Sequence, residues 1–350
     1  MKILYRNTYG NPCIWILVLQ LFSCQMDSAD PGLIVKRNPE NGQYIFEENN
    51  KTILQYNYQT VYDENVVRLE DAKPENYNRR ERDTFVTAEL YAIPRSNYIH
   101  PLYGLKGEML TRDWPAGGHP HHRGIFWAWP EVQFGSEQGD IYALQKVFAR
   151  PTGRIEMSNE KQYAQLQAEN IWRWEDREAI VNEQAIIRVY EKNGNYRIID
   201  LAFRFNALKD SITIATRNTD SYGGLNIRMQ TPDNQKIQYH TDSTSQKRLR
   251  AWSDFSGIFE NSGEISGMVV LQHSSNPEYP GDWVEYPDLS WVQPTFPTPG
   301  SRFLLTVNEP LELKYRIVVY EGELKESGIY QKWWDDYHSE NSSIPFFRGQ

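Results

Sequence analysis

The chain has 350 residues, 13% of them aromatic and 24% charged, enough for one large domain or two ordinary ones with a substantial core. Its formal charge of −9 at pH 7 is spread along the sequence, which excludes the basic face that nucleic-acid phosphates require. An acidic sugar is not excluded, because a site can be locally basic inside an acidic protein.

The N-terminus reads as a targeting signal. Lys2 and Arg6 precede an apolar run over 13–22, too short to anchor stably across a bilayer. Leu21-Phe22-Ser23-Cys24 then resembles a lipobox, in which Cys24 becomes the lipidated first residue. On this reading residues 1–23 are a lipoprotein signal peptide, 24–42 a tether and 43–350 a single catalytic β-sandwich domain. Cys13 leaves with the signal, so no free thiol remains for disulfides, thiolate catalysis or cysteine-ligated zinc. The expected location is exported, held in the periplasm or outer membrane of a Gram-negative bacterium through the N-terminal lipid alone.

Strands are predicted at 43–47 and 52–62, the second alternating with Ile53, Tyr58 and Tyr62 inward. The charged stretch 71–83 reads as a solvated loop and 85–94 as a strand ended by Pro94. An apolar aromatic run from Ile125 reads as a buried strand, and the glycines at 135 and 139 as another loop. From 146 to 219 strands follow one another through short turns, with Lys192-Asn193-Gly194-Asn195 a strong hairpin signal. Gly223-Gly224 opens a strand carrying Arg228, and further strands are predicted at 267–273, 302–307 and 311–320. The proline-rich stretch 276–300 is too long for a plain connector and is a candidate site wall. A helix over 324–337 closes the chain. The predicted class is therefore all-β, a large antiparallel β-sandwich of the mutarotase- or lyase-like supersandwich kind with a short C-terminal helix.

The densest chemistry lies at His119-Pro120-His121-His122-Arg123-Gly124, where three of the seven histidines meet an arginine and then the aromatic strand. Polar titratable groups gathered where a loop joins a rigid strand mark a site. Three mechanisms compete for it. His119 and His121 project to one side of an extended segment and can ligate a divalent metal, with Glu108, His240 or His273 as a third ligand. Alternatively the loop eliminates a group β to a uronate carboxylate. His121 or His122 would take the C5 proton, Arg123 and Arg228 would hold the carboxylate, and Tyr222 would protonate the leaving oxygen. The third is glycoside hydrolysis by a carboxylate pair drawn from Glu108, Asp113, Glu131 and Asp282, none of which the sequence marks as a pair. His121, His122, Arg123 and Tyr222 are the catalytic candidates. Arg228, His273, Arg112 and Trp127 are the substrate-binding ones.

The histidine motif with its aromatic strand resembles the signature of the PmoA-like family, exported bacterial proteins that carry a "methane oxygenase" label. Gly223-Gly224-Leu225-Asn226-Ile227-Arg228, His273-Ser274-Ser275-Asn276-Pro277 and Leu313-Lys314-Tyr315-Arg316-Ile317 are similar to its later blocks. The sequence departs from the pattern after Pro277, where it reads Glu278-Tyr279-Pro280-Gly281-Asp282-Trp283. The resemblance implies a carbohydrate-active β-sandwich of a polysaccharide-utilisation locus, and it inclines the reading toward a dehydratase or lyase on uronate-containing, ulvan-type oligosaccharides. The rivals are a glycoside hydrolase and a non-catalytic glycan-binding lipoprotein. A methane oxygenase is excluded, because the chain lacks the membrane helices that such an enzyme implies.

Overall fold

In the computed structural model, residues 32–62, 94–113, 121–217, 222–240, 250–324, 328–339 and 345–347 are described. They form a large β-sandwich whose named strands all pair antiparallel. The first sheet has eight strands. In chain order they are β1 (Leu33–Arg37), β2 (Tyr44–Glu48), β3 (Lys51–Asn57), β4 (Tyr98–Leu102), β5 (Ile125–Ala128), β13 (Gly224–Arg228), β17 (Trp283–Tyr286) and β18 (Trp291–Pro294). They lie side by side in the order β1-β2-β3-β4-β5-β13-β18-β17.

The second sheet is also eight-stranded. It comprises β8 (Val147–Asn159), β9 (Tyr163–Trp174), β10 (Glu178–Tyr190), β11 (Tyr196–Ala207), β14 (Asp233–Tyr239), β15 (Trp252–Ile258), β16 (Ile265–Gln272) and β20 (Leu311–Glu321), in the order β14-β15-β16-β20-β11-β10-β9-β8. A third sheet of four, β19-β12-β6-β7, joins β6 (Glu131–Phe134), β7 (Glu137–Gly139), β12 (Ile212–Ala215) and β19 (Arg302–Leu305).

The meander β8–β11 follows the sequence reading, with Asn193 and Tyr196 bridged around the Gly194 turn. Its inward residues alternate, as in Leu201, Phe203 and Phe205, and they pack against the first sheet. Trp127 of β5 stands 4.2 Å from Phe203 between ring centroids. One continuous core draws on all three sheets.

Several boundaries differ from the sequence reading. The supposed tether already contains β1, because Leu33 and Val35 alternate into the core. The strand expected to run to 62 ends at Asn57, where the Tyr58 amide turns back to the Tyr56 carbonyl at 3.1 Å. Tyr58 is buried as expected, but Tyr62 is 75% exposed. The glycines at 135 and 139 belong to the β6–β7 hairpin, and the proline-rich stretch holds the β17–β18 hairpin around a 3-10 turn at Pro287–Leu289. The predicted strand over 85–94 lies almost wholly outside the described residues. The closing helix, α1 (Ile329–Ser339), lays Ile329, Trp333 and Tyr337 onto the outer face of the second sheet. Among the described residues no helix is long and apolar enough to cross a membrane.

Candidate functional site

The centre of the first sheet is buried on both faces, so its strands carry two different sets of side chains. Facing the second sheet are Ile125, Trp127, Leu225, Ile227 and Val292. The opposite face carries two cross-strand rows. Arg228 lies opposite Trp291, which lies opposite Tyr286, while Phe126 lies opposite Asn226. The same register, carried on to the Gly224–Thr295 bridge, sets Asn226 opposite Gln293.

The turn entering β5 fixes this geometry. Gly124 has φ +54°, and a Cβ there would lie 2.2 Å from the Ile99 carbonyl oxygen, so only glycine fits. Its amide donates to the Arg112 carbonyl at 2.9 Å, the Arg228 amide donates to Gly124 at 2.9 Å, and the Arg112 amide donates to Arg228 at 3.0 Å. Arg112 and Arg228 are thereby held close. Burial first, and then the Arg112 charge, push the Arg228 guanidinium down to about 10. Arg228 is 5% exposed, and its Nε and Nη1 have no hydrogen-bond partner among the described residues.

An aromatic cluster stands over these rows. His122 is buried, its ring 4.7 Å from Trp291 and 4.6 Å from His121, and the Tyr142 hydroxyl lies 3.2 Å from its Nε2. Tyr142 also packs against His121 (5.5 Å), Phe126 (5.1 Å) and Tyr222 (5.1 Å), and Tyr222 stands 5.5 Å from Trp291. Burial raises the Tyr142 hydroxyl well above its usual range, so it stays protonated. Arg95 clamps this residue from behind, donating to the Ile141 and Tyr142 carbonyls at 2.8 and 2.7 Å. Asp140 accepts from the Ala143 amide at 2.7 Å and from Arg217 at 3.1 Å, and that guanidinium lies 5.6 Å from the Tyr222 ring. Burial pushes the Asp140 carboxyl up to about 6.

The structure thus brings together His121, His122, Tyr222, Arg228 and the backbone of Arg112. It separates the other candidates. Arg123 is buried and engaged with Asp113 and the Tyr98 hydroxyl, its guanidinium 4.5 Å over the Tyr98 ring, which makes it a structural clamp rather than a carboxylate receptor. Trp127 faces the inter-sheet core and donates to Glu183 at 2.6 Å, so it is not a sugar platform. His273 follows β16 in the other sheet, stacked 4.6 Å from His338 of α1, and burial lowers its pKa to about 4.

His119 and Cys24 lie outside the described residues. Among the described residues no three of His, Cys, Asp or Glu come together as a metal site. Glu108 accepts from Ser266, and His240 stacks 5.8 Å from Trp252. The carboxylates considered for hydrolysis are also dispersed. Asp113 pairs with Arg123 and Glu131 with Arg302, while Asp282 caps the Trp283 amide at 2.8 Å.

Sequence reasoning missed Tyr142, Asp140, Arg217, Asn226 and Gln293 as site residues. Trp291 was signalled only through the length of the proline-rich stretch that contains it.

A large antiparallel β-sandwich with an enclosed His–Tyr–Trp–Arg cluster is the class that fold and site define. The chain belongs to a family of unknown function (DUF6807), whose model matches residues 49–334. No curated protein matches it. Among solved structures it is similar to the GH36 alpha-galactosidase AgaB from Geobacillus stearothermophilus, at 12% identity and TM-score 0.39, over 82% of this chain and 40% of that one. It is also similar to a variant of the alpha-galactosidase AgaA from the same organism, bound to 1-deoxygalactonojirimycin, at 10% identity and TM-score 0.36, over 77% and 40%. The chain spans about two fifths of the length of these neighbours.

Proposed function

We propose that this protein acts on uronate-containing oligosaccharides and opens them by β-elimination. The observation that supports this most is Arg228, a buried guanidinium with two donor atoms that no described residue uses, beside a pair of histidines and two tyrosines. A buried cation without a carboxylate is costly in the free protein and suits an anionic ligand.

In this reading Arg228, with Arg112 beside it, takes the substrate carboxylate and draws charge from C5. His121, half-buried at the rim, removes the C5 proton. The C5–H electron pair becomes the C4=C5 double bond, the C4–O bond breaks, and Tyr222 protonates the departing oxygen. His122 and Tyr142 position both groups through their ring contacts and their shared hydrogen bond. The lipid anchor at Cys24 and the polysaccharide-degrading setting implied by the PmoA-like motifs belong to the same proposal; a divalent metal held by His119 and His121 is its alternative, in which His122 rather than His121 would take the proton.

The test is absorbance at about 235 nm, the band of an unsaturated uronate product. The protein would be incubated with uronate oligosaccharides, with and without chelator. A rise that falls by about 10²–10⁴-fold in His121→Ala and Tyr222→Phe is expected. A flat trace with new reducing ends means hydrolysis, and no product at all with saturable binding means a glycan-binding protein.

A further inference from the structure

Gln293 is fully buried, and neither its Nε2 nor its Oε1 has a hydrogen-bond partner among the described residues. Opposite it, Asn226 is equally buried. Its Nδ2 donates to the Gly224 carbonyl at 2.9 Å, but its Oδ1 has no partner among the described residues. Buried side-chain amides are ordinarily satisfied, and two facing ones that are not need an explanation. The two-residue period of the strands places both on the face that carries Arg228 and Trp291, one pair further along the sheet. The Thr295 hydroxyl, buried and also without a partner among the described residues, continues the row beside Gly224.

The open groups differ in kind along this row. Arg228 offers only donors, which an anion can satisfy. The amide pair offers a donor at Nε2 and acceptors at Gln293 Oε1 and Asn226 Oδ1. A carboxylate or phosphate cannot satisfy those acceptors, whereas a hydroxyl can, because it both donates and accepts.

We infer that Asn226 and Gln293 form a hydroxyl-reading subsite that, together with Arg228, selects a polyhydroxylated acid: the ring hydroxyls of a uronic acid sit on the amides while its carboxylate sits on the guanidinium. This rests on the proposed substrate class but not on the elimination step. It explains why apolar residues of similar size do not fill these positions. The amides trade stability in the free protein for recognition, since an unpaired buried amide costs more than the hydrocarbon that would replace it.

Calorimetric titration tests this without any turnover, so it stands or falls independently of elimination. The probes are D-glucuronate, cyclohexanecarboxylate (the same charge without hydroxyls) and D-glucose (hydroxyls without the charge). The native protein should bind glucuronate at least tenfold more tightly than either of the others. Gln293→Leu, and Gln293→Met as a second replacement of similar length, should bring glucuronate down to the affinity of cyclohexanecarboxylate and leave the latter unchanged. Arg228→Leu should weaken both acids. Both Gln293 variants should melt at or above the native temperature in the absence of ligand. The inference is overturned if the native protein does not distinguish the two acids or binds neither. It is overturned as well if the Gln293 variants melt lower yet bind glucuronate normally, because the amides would then serve the fold through buried water.

Discussion

The two faces of the central strands β5, β13 and β18 handle buried polar groups in opposite ways. On the inner face, Glu183 is fully buried, yet its carboxylate receives Asn97 Nδ2 and Trp127 Nε1, each at 2.6 Å, and the Trp172 indole as well. The acceptor side of Asn97 is used too, by the Tyr56 hydroxyl at 2.7 Å. On the outer face, a few ångströms of backbone away, Arg228 Nε and Nη1, both polar atoms of the Gln293 amide and Asn226 Oδ1 are buried without partners among the described residues. The inner network satisfies the Glu183 carboxylate and holds the sheets together, with one oxygen in it, Asn170 Oδ1, lacking a partner among the described residues. The outer row is complete only with something added. Buried polar chemistry therefore does not mark a site unless its hydrogen bonds have been accounted for.

Breaking the inner network should have the largest effect. Glu183→Leu leaves three N–H donors unpaired in the core and should cost about 3–5 kcal/mol in denaturant unfolding, with normal ligand affinity in whatever folds. The contrast between the faces collapses if Glu183→Leu folds as stably as the native chain. Arg228→Leu is its mirror image. Loss of the anion receptor should reduce turnover or affinity by 10²–10³-fold, roughly 3–4 kcal/mol, with stability unchanged or improved. A variant that unfolds instead would place Arg228 among the structural groups.

A buried carboxyl on the other side of the second sheet sharpens the comparison through pH. Asp254 lies under α1 and has tyrosine hydroxyls for partners, Tyr320 at 2.9 Å and Tyr330 at 2.7 Å, with no cation paired to it among the described residues. Burial pushes it up to about 6 from the usual 3.8. Between those values the folded chain keeps a proton that the unfolded chain has released. Its contribution to stability is therefore full below about pH 4 and is lost as the pH rises through about 6. The change should total roughly 2–3 kcal/mol, read as the denaturation midpoint from pH 4 to 7. Asp254→Asn should flatten that slope.

How much of this was legible in the sequence follows from the same geometry. The β8–β11 meander was readable, because one-sided strands alternate and Asn193-Gly194 announces its turn. The cluster around His121 and His122 was readable as a concentration of titratable groups. Its partners were not, since Tyr142 arrives from a separate turn and Trp291 from a hairpin about 170 positions later. Face assignment failed for a specific reason. All four residues of β5 are buried, so alternation gives two sets of side chains without saying which one meets the core and which the site. Trp127 was assigned to the ligand, whereas its neighbour Phe126 is the residue on the site face.

That correction carries the smallest test. Trp127→Phe keeps an aromatic ring against Phe203 but removes the indole N–H from Glu183. The cost should be about 1–2 kcal/mol, one hydrogen bond plus a small packing loss, with glucuronate affinity unchanged because the side chain lies on the far side of the sheet. A drop in affinity larger than the drop in stability would mean that the two faces communicate through β5, and the division of labour between them would have to be redrawn.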